Sequence, residues 1–227
     1  MRGWTLQRIT DARAPAPDIA TRINGALRGV PVWAVYLLGA LPAAWLFWQA
    51  ATNTLGIDPV REIEHRLGEL GLQFIVGGLV VTPLRRIAGV NLLRFRRAIG
   101  LIAFFYVLAH LAAWLVLDMG MLWGQVAADI WKRPYITMGM AGFLMLLPLA
   151  LTSNNWSIRK LGGARWRWLH KLVYPAALAG AVHYLWLVKA WPVEPFLYLG
   201  GIVVLLAVRV WFARGKLTRR RVGGESG

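Results

Sequence analysis

Residues 98–117 read AIGLIAFFYVLAHLAAWLVL, and His110 is the one side chain among them drawn from Asp, Glu, Lys, Arg and His. As a helix rising 1.5 Å per residue, such a run is about 30 Å long, the thickness of a bilayer's hydrocarbon core. A single segment at that depth must satisfy its own backbone, and only a helix does so. The run therefore predicts a transmembrane helix and an all-α fold class.

Five more blocks of similar make-up flank it. On the N-terminal side lie Val32–Ala51 and Leu67–Leu84, the latter interrupted by Glu69 and Gln73. On the C-terminal side lie Tyr135–Leu151, Leu169–Val188 and Phe196–Ala213, the last with Arg209 near its end. Each is near the length that spans a bilayer. The expectation is a polytopic membrane protein: a six-transmembrane-helix bundle over residues 32–213, an N-terminal extension over 1–31 and a basic tail over 214–227. Asp118 to Trp131, bracketed by Asp118 and Asp129, reads as an interfacial segment. No internal repeat is visible, and no stretch has room for a soluble domain.

Composition agrees. The 227 residues are 58% hydrophobic with mean hydropathy +0.51, where soluble domains are about 45–50% apolar. The 13 Trp suit the lipid–water interface. A net charge of +16 on a soluble chain would suggest nucleic acid. Here the basic residues lie between apolar blocks, so the expected partner is membrane lipid and not nucleic acid. Absence of Cys excludes disulfides, Cys-ligated zinc, iron–sulfur clusters and covalent c-type haem. The first thirty residues are polar, with Arg2, Arg8, Arg13, Arg22 and Arg28. No short apolar core precedes a small-residue cleavage site, so no cleaved signal peptide is expected.

The connections orient the bundle. Basic residues without acids fill the second–third connection (Arg85, Arg86, Arg94, Arg96, Arg97), the fourth–fifth (Arg159, Lys160, Arg165, Arg167) and the start of the tail (Arg214, Lys216, Arg219, Arg220, Arg221). The other three are mixed: Asp58, Arg61, Glu62, Glu64 and Arg66; Asp118, Asp129, Lys132 and Arg133; Lys189 and Glu194. By the positive-inside rule, the basic connections and both termini are cytoplasmic.

Of four His, His65 reads as a solvated residue of a mixed-charge external loop. His110, His170 and His183 lie within spans, where ionisable residues are functional candidates. His110 is about 12 residues into span three and His183 about 14 into span five, so both lie roughly 18–21 Å from the cytoplasmic end. Two neutral imidazoles at equal height on helices three and five can clamp a porphyrin by its iron; without Cys that haem is non-covalent. Small residues surround both: Ala103, Ala109, Ala112 and Ala113; Ala176, Ala177, Ala179, Gly180 and Ala181. They would either leave a slot for a macrocycle or let helices approach closely. His170 lies about 20 Å from His183 along the helix, with Pro175 between them as a potential kink. It would ligate a second haem with another group, contact a flavin, or bond backbone. Arg is suited to bidentate phosphate contacts, so Arg96 and Arg97 are candidates for docking an acidic donor or an anionic cofactor such as a flavin phosphate; anionic lipid would explain the same charge. No GxGxxG or P-loop occurs, so the chain cannot take hydride from NADPH unaided.

The motifs in order resemble one family. They are Asp58-Pro59, Thr82-Pro83-Leu84-Arg85, Arg96-Arg97-Ala98-Ile99-Gly100-Leu101, His110, Arg133-Pro134-Tyr135-Ile136, Leu149-Ala150-Leu151-Thr152-Ser153, Trp168-Leu169-His170-Lys171-Leu172-Val173-Tyr174 and His183-Tyr184-Leu185-Trp186-Leu187-Val188-Lys189. The family is MsrQ (YedZ), the haem-binding membrane subunit of the bacterial periplasmic protein-methionine-sulfoxide reductase system, within the ferric-reductase-like transmembrane domains. The resemblance runs from about residue 55 to 190 and implies an inner-membrane subunit that binds haem b and FMN. It implies electrons drawn from the quinone pool or a cytoplasmic flavin reductase, and passed to a periplasmic molybdopterin-containing subunit that reduces methionine sulfoxide in proteins. The family's haem-associated histidines correspond to His110, His170 and His183, with Arg96, Arg97 and Trp168 as candidate cofactor contacts. The Arg-rich extension is not part of the pattern. Two other classes stay open on the residues alone. One is a proton- or metal-ion transporter, against which stand spans almost free of acids. The other is a self-contained ferric or oxygen reductase, against which stands the missing soluble flavin and nicotinamide domain.

Overall fold

The computed structural model describes residues 18–188 and 192–222, and every regular element among them is helical. Arg2, Arg8, Arg13 and Lys189, which enter the charge reading, lie outside the described residues. The helices are α1 (Ile19–Gly29), α2 (Val32–Ala51), α3 (Pro59–Ile87), α4 (Arg96–Ala113), α5 (Trp123–Lys132), α6 (Pro134–Leu151), α7 (Asn155–Leu169), α8 (Val173–Leu187) and α9 (Val193–Val222). Three-ten turns at Leu93–Phe95 and His170–Leu172 lead into α4 and α8, and a π-turn at Trp114–Asp118 extends α4. Among the described residues, α2, α3, α4 with its flanking turns, α6 and α9 are long and apolar enough to cross a membrane. The chain is a polytopic, all-α membrane protein.

Four elements depart from the sequence expectation. The second block is only the inner part of α3, which starts eight residues before Leu67 because Asp58 caps it, accepting from the Arg61 N–H at 3.1 Å. Pro59 stands at its first position, where a missing N–H is harmless. The block Leu169–Val188 is split. Its break falls before Pro175, because the proline ring clashes with the carbonyl four residues back, that of Lys171. The α-helix therefore starts at Val173, with Pro175 inside its first turn and no kink between Pro175 and His183. The 3-10 turn and α8 together measure about 28 Å. The extension holds the amphipathic α1, whose Asn24 donates to the Gly89 carbonyl (3.0 Å) and accepts from the Asn91 N–H (2.8 Å). At the other end α9 continues through Arg214 to Val222.

Packing is organised in two helix pairs. α3 lies against α4, and α6 against α8, with far more extensive contact inside each pair than between them. Glycines set the close approach: a Cβ on Gly71 would stand 2.8 Å from Val107 Cγ2, and one on Gly142 3.5 Å from the Ala179 Cβ. The pairs meet over a core of Leu72, Ile75 and Leu79 from α3, Phe104 from α4, Leu146 and Leu149 from α6, and Ala177 and Ala181 from α8. α9 adds Ile202 to that core. α2 packs its Leu46 on the outer side of α3 and α4.

Prolines inside two helices open the hydrogen-bond ladder, and polar side chains from neighbouring helices fill the openings. Beside Pro42, the Tyr106 hydroxyl inserts into the α2 ladder, accepting from the Ala43 N–H (3.1 Å) and donating to the Gly39 carbonyl (2.7 Å). Pro83 leaves the Leu79 carbonyl without its donor. Arg209 of α9 supplies one, with Nη2 at 2.6 Å from that oxygen and Nη1 donating to the Tyr174 hydroxyl at 3.2 Å. The arginine of the sixth block is thus a bridge between α9, α3 and α8. Arg209→Met keeps the apolar stem but orphans the Leu79 carbonyl, and should destabilise the bundle by about 1–3 kcal/mol. Unfolding in detergent would read this, and an unchanged midpoint would refute the bridge.

Candidate functional site

Between the two helix pairs lies a cavity of about 940 Å³, within the size range of cofactor pockets. Arg61, Glu64, His65, Gly68, Leu72 and Ile75 of α3 line it. They recur at helical spacing and so form one face. Val107 and His110 of α4, Gly139, Phe143 and Leu146 of α6, and Ala176, Gly180 and His183 of α8 complete the wall. One end is polar, with Asp58, Arg61, Glu64, His65, Asp118 and Arg133, while the interior is apolar.

His110 and His183 meet across this cavity, with ring centres 6.1 Å apart and planes inclined at 69°. The two side chains that the sequence places at matching depth are thus brought together. Each is anchored in the same way by the other helix of its pair. His110 Nδ1–H donates to the Glu64 carbonyl (2.8 Å), and His183 Nδ1–H to the Tyr135 carbonyl (2.7 Å). A carbonyl can only accept, so Nδ1 carries the proton and Nε2 keeps the lone pair in both rings. Four residues beyond each carbonyl stands a glycine under the ring. A Cβ on Gly68 would lie 3.0 Å from His110 Nδ1, and one on Gly139 2.9 Å from His183 Nδ1. The device is therefore used twice, as Glu64/Gly68 with His110 and as Tyr135/Gly139 with His183.

Two neutral imidazoles with free Nε2 atoms are ready-made metal ligands, their orientation set by the second nitrogen. Two metal–nitrogen bonds of about 2 Å each, with about 1 Å from nitrogen to ring centre, sum to about 6 Å, the separation found. The roomy apolar interior suits a flat macrocycle. The small residues of α8 serve both expected purposes: Ala179 meets Gly142 across the pair, while Ala176 and Gly180 border the cavity.

His170 stands apart from this pair. Its ring stacks on Trp166 with centres 3.8 Å apart, and its Nε2 lies 3.1 Å from the Thr152 hydroxyl. That hydroxyl donates to the Pro148 carbonyl at 2.6 Å, so His170 Nε2–H is the donor toward Thr152. Arg96 and Arg97 lie within electrostatic reach, and Arg97 also donates to the Asn155 side chain at 3.0 Å. Trp168 is 72% exposed; it is Trp166 that contacts His170. His65 is not in a loop: the early start of α3 places it on the cavity face. Sequence reasoning missed His65, Gly68, Gly139 and the two carbonyls. The available signals were the Asp58-Pro59 helix start and the paired GxxG spacing, Gly68/Gly71 and Gly139/Gly142.

A family model described as "Ferric reductase like transmembrane component" matches residues 66–181, taking in His110 and His170. A protein of Agrobacterium fabrum named "Protein-methionine-sulfoxide reductase heme-binding subunit MsrQ" is 52% identical over 179 residues, 79% of this chain and 83% of its own length. A protein of Brucella anthropi with the same name is 50% identical over 197 residues, covering 86% of this chain and 89% of its own length. One of Brucella ovis, again so named, is 50% identical over 190 residues, 84% and 85% of the two chains.

Proposed function

The chain belongs to the ferric reductase like transmembrane component family and, within it, to the MsrQ subunits, and on that premise we propose that it is the haem-carrying membrane subunit of a protein-methionine-sulfoxide reductase system. The observation that carries this reading is the pair His110 and His183, facing each other across an apolar cavity with both Nδ1 protons committed to backbone. With no Cys in the chain, the haem is held non-covalently, and the type we assign to it is b. Bound there, it would supply a one-electron carrier at membrane depth. The imidazoles bind the iron, and the Glu64 and Tyr135 carbonyls orient them. Leu72, Ile75, Phe143 and Leu146 keep water from the interior.

In this reading the protein lies in the bacterial inner membrane with six spans, the 3-10 turn and α8 together forming the fifth, and with both termini cytoplasmic. Electrons enter from the quinone pool or a cytoplasmic flavin reductase. They leave for a periplasmic molybdopterin-containing subunit, which reduces methionine sulfoxide in oxidised proteins. The chain itself carries electrons and does not act on methionine sulfoxide. His170, beside Trp166 and within reach of Arg96 and Arg97, belongs to the entry side as a relay, with a second haem or FMN as its partner; the two guanidiniums suit a flavin phosphate.

Haem and flavin stoichiometry of the purified protein tests the reading, and a preparation without a Soret band would sink it. His170→Ala should keep the spectrum of the His110–His183 haem and slow its reduction from the cytoplasmic side. If that variant loses all haem, His170 is a ligand of the only one.

A further inference from the structure

α3 brings two donors to the polar end of the cavity that neither the histidine pair nor the fold uses. Arg61 and His65 are one helical turn apart on the cavity-lining face. Neither side chain makes a hydrogen bond or an ion pair among the described residues, although their neighbours Glu62 and Arg66 pair with each other at 2.6 Å. His65 is three residues before Gly68, so it sits about 4.5 Å along the axis from the level where His110 is seated. Both donors therefore border the space beside the imidazole pair, on its polar side.

Protohaem is amphipathic: an apolar ring system with two carboxylates along one edge. The cavity is amphipathic in the same sense. The apolar end is closed by Leu72, Ile75 and Leu146, and the polar end opens at the start of α3 and α6. An ionised carboxylate brought into a partly dry site needs donors, because burying it unpaired is costly. Asp58, Glu64 and Asp118, at the same end, are acceptors and cannot serve. Arg133 is engaged already, with the Tyr135 hydroxyl at 3.2 Å and Asp129 at 3.4 Å. Among the charged and imidazole side chains of that end, Arg61 and His65 remain.

We propose that Arg61 and His65 seat a carboxylate of the bound macrocycle, so that its polar edge faces the N-terminal end of α3. The proposal rests on the haem-carrying reading above and adds an orientation to it. Arg61 offers a fixed fork of N–H groups, and His65 a donor one turn nearer the iron ligands.

The test compares protohaem with its dimethyl ester, which has the same ring and no carboxylate charge. Apoprotein is loaded with each, and loss of the porphyrin to apomyoglobin is timed at the Soret band. Wild type should lose the ester roughly ten- to a hundredfold faster than protohaem, the worth of one or two charge-assisted hydrogen bonds. In the Arg61→Leu/His65→Leu variant the two should leave at the same rate, with the low-spin spectrum intact. Arg61→Lys/His65→Gln keeps a donor at each place and should restore part of the difference, which guards against a merely unfolded variant. Wild type holding both porphyrins equally well, or a leucine variant keeping the full difference, overturns the proposal while leaving haem binding standing. Wild type taking up neither porphyrin overturns the haem reading itself.

Discussion

Alanine in place of His110 or His183 is expected to abolish the low-spin b-type spectrum of the purified protein, with either substitution sufficient. An iron held between the two imidazoles would need both of them, and among the described residues His65 is the only further imidazole lining the cavity. Among the described residues no group of three or more His, Cys, Asp or Glu is placed to hold a metal ion. His65, the nearest further imidazole on the cavity wall, is on α3, the helix whose Glu64 carbonyl anchors His110. Loss should be near complete, and the freed space should allow partial rescue by added imidazole. Optical spectra of the two variants check it; wild-type haem content in both would remove the pair from the site.

The second large effect concerns residues with no functional group. Gly68→Ala and Gly139→Ala each place a methyl about one atom's width from an imidazole, 3.0 Å and 2.9 Å from Nδ1. Retreat of the ring would strain its bond to the Glu64 or Tyr135 carbonyl, 2.8 and 2.7 Å long. The expected result is a ten- to hundredfold loss of haem affinity, the usual scale for disturbing the groups that orient a metal ligand. Gly100→Ala and Gly200→Ala are the controls, because nothing stands within 4 Å of a Cβ at either place. Both controls should bind haem as wild type and gain slightly in helix stability, since Ala is the better helix former. Equal haem binding by all four variants would mean that the imidazoles have more freedom than their packing indicates.

Five of the six expected spans, and the two histidines that face each other, were legible in the sequence because each depends on spacing along one helix. An apolar run of bilayer length and two His at matching depth need no knowledge of neighbours. What escaped was set by contacts across helices. His65 was placed in a loop because charge counting at Asp58, Arg61, Glu62 and Glu64 outweighed the Asp58-Pro59 start signal, although a capped helix can run beyond the hydrocarbon. The carbonyl anchors carry no side-chain signature at all. The Trp166–His170 stack also lies beyond the sequence, because a motif fixes order along the chain but not which way a ring turns around the helix. Pro175, a potential kink by sequence, is the third residue of α8 and marks where the α-helix can begin.

The paired construction of the bundle bears on biogenesis. α3 with α4 and α6 with α8 are each closely packed pairs, and each holds one imidazole anchored to a carbonyl of its own pair. The contact between the pairs is the thin seam of the molecule, and a metal clasped from both sides would lie across it. A prosthetic group so placed acts as a cross-link and stabilises the closed form by mass action, since only that form binds it. Newly inserted chains would then mature in two stages, pairs first and closure on haem second.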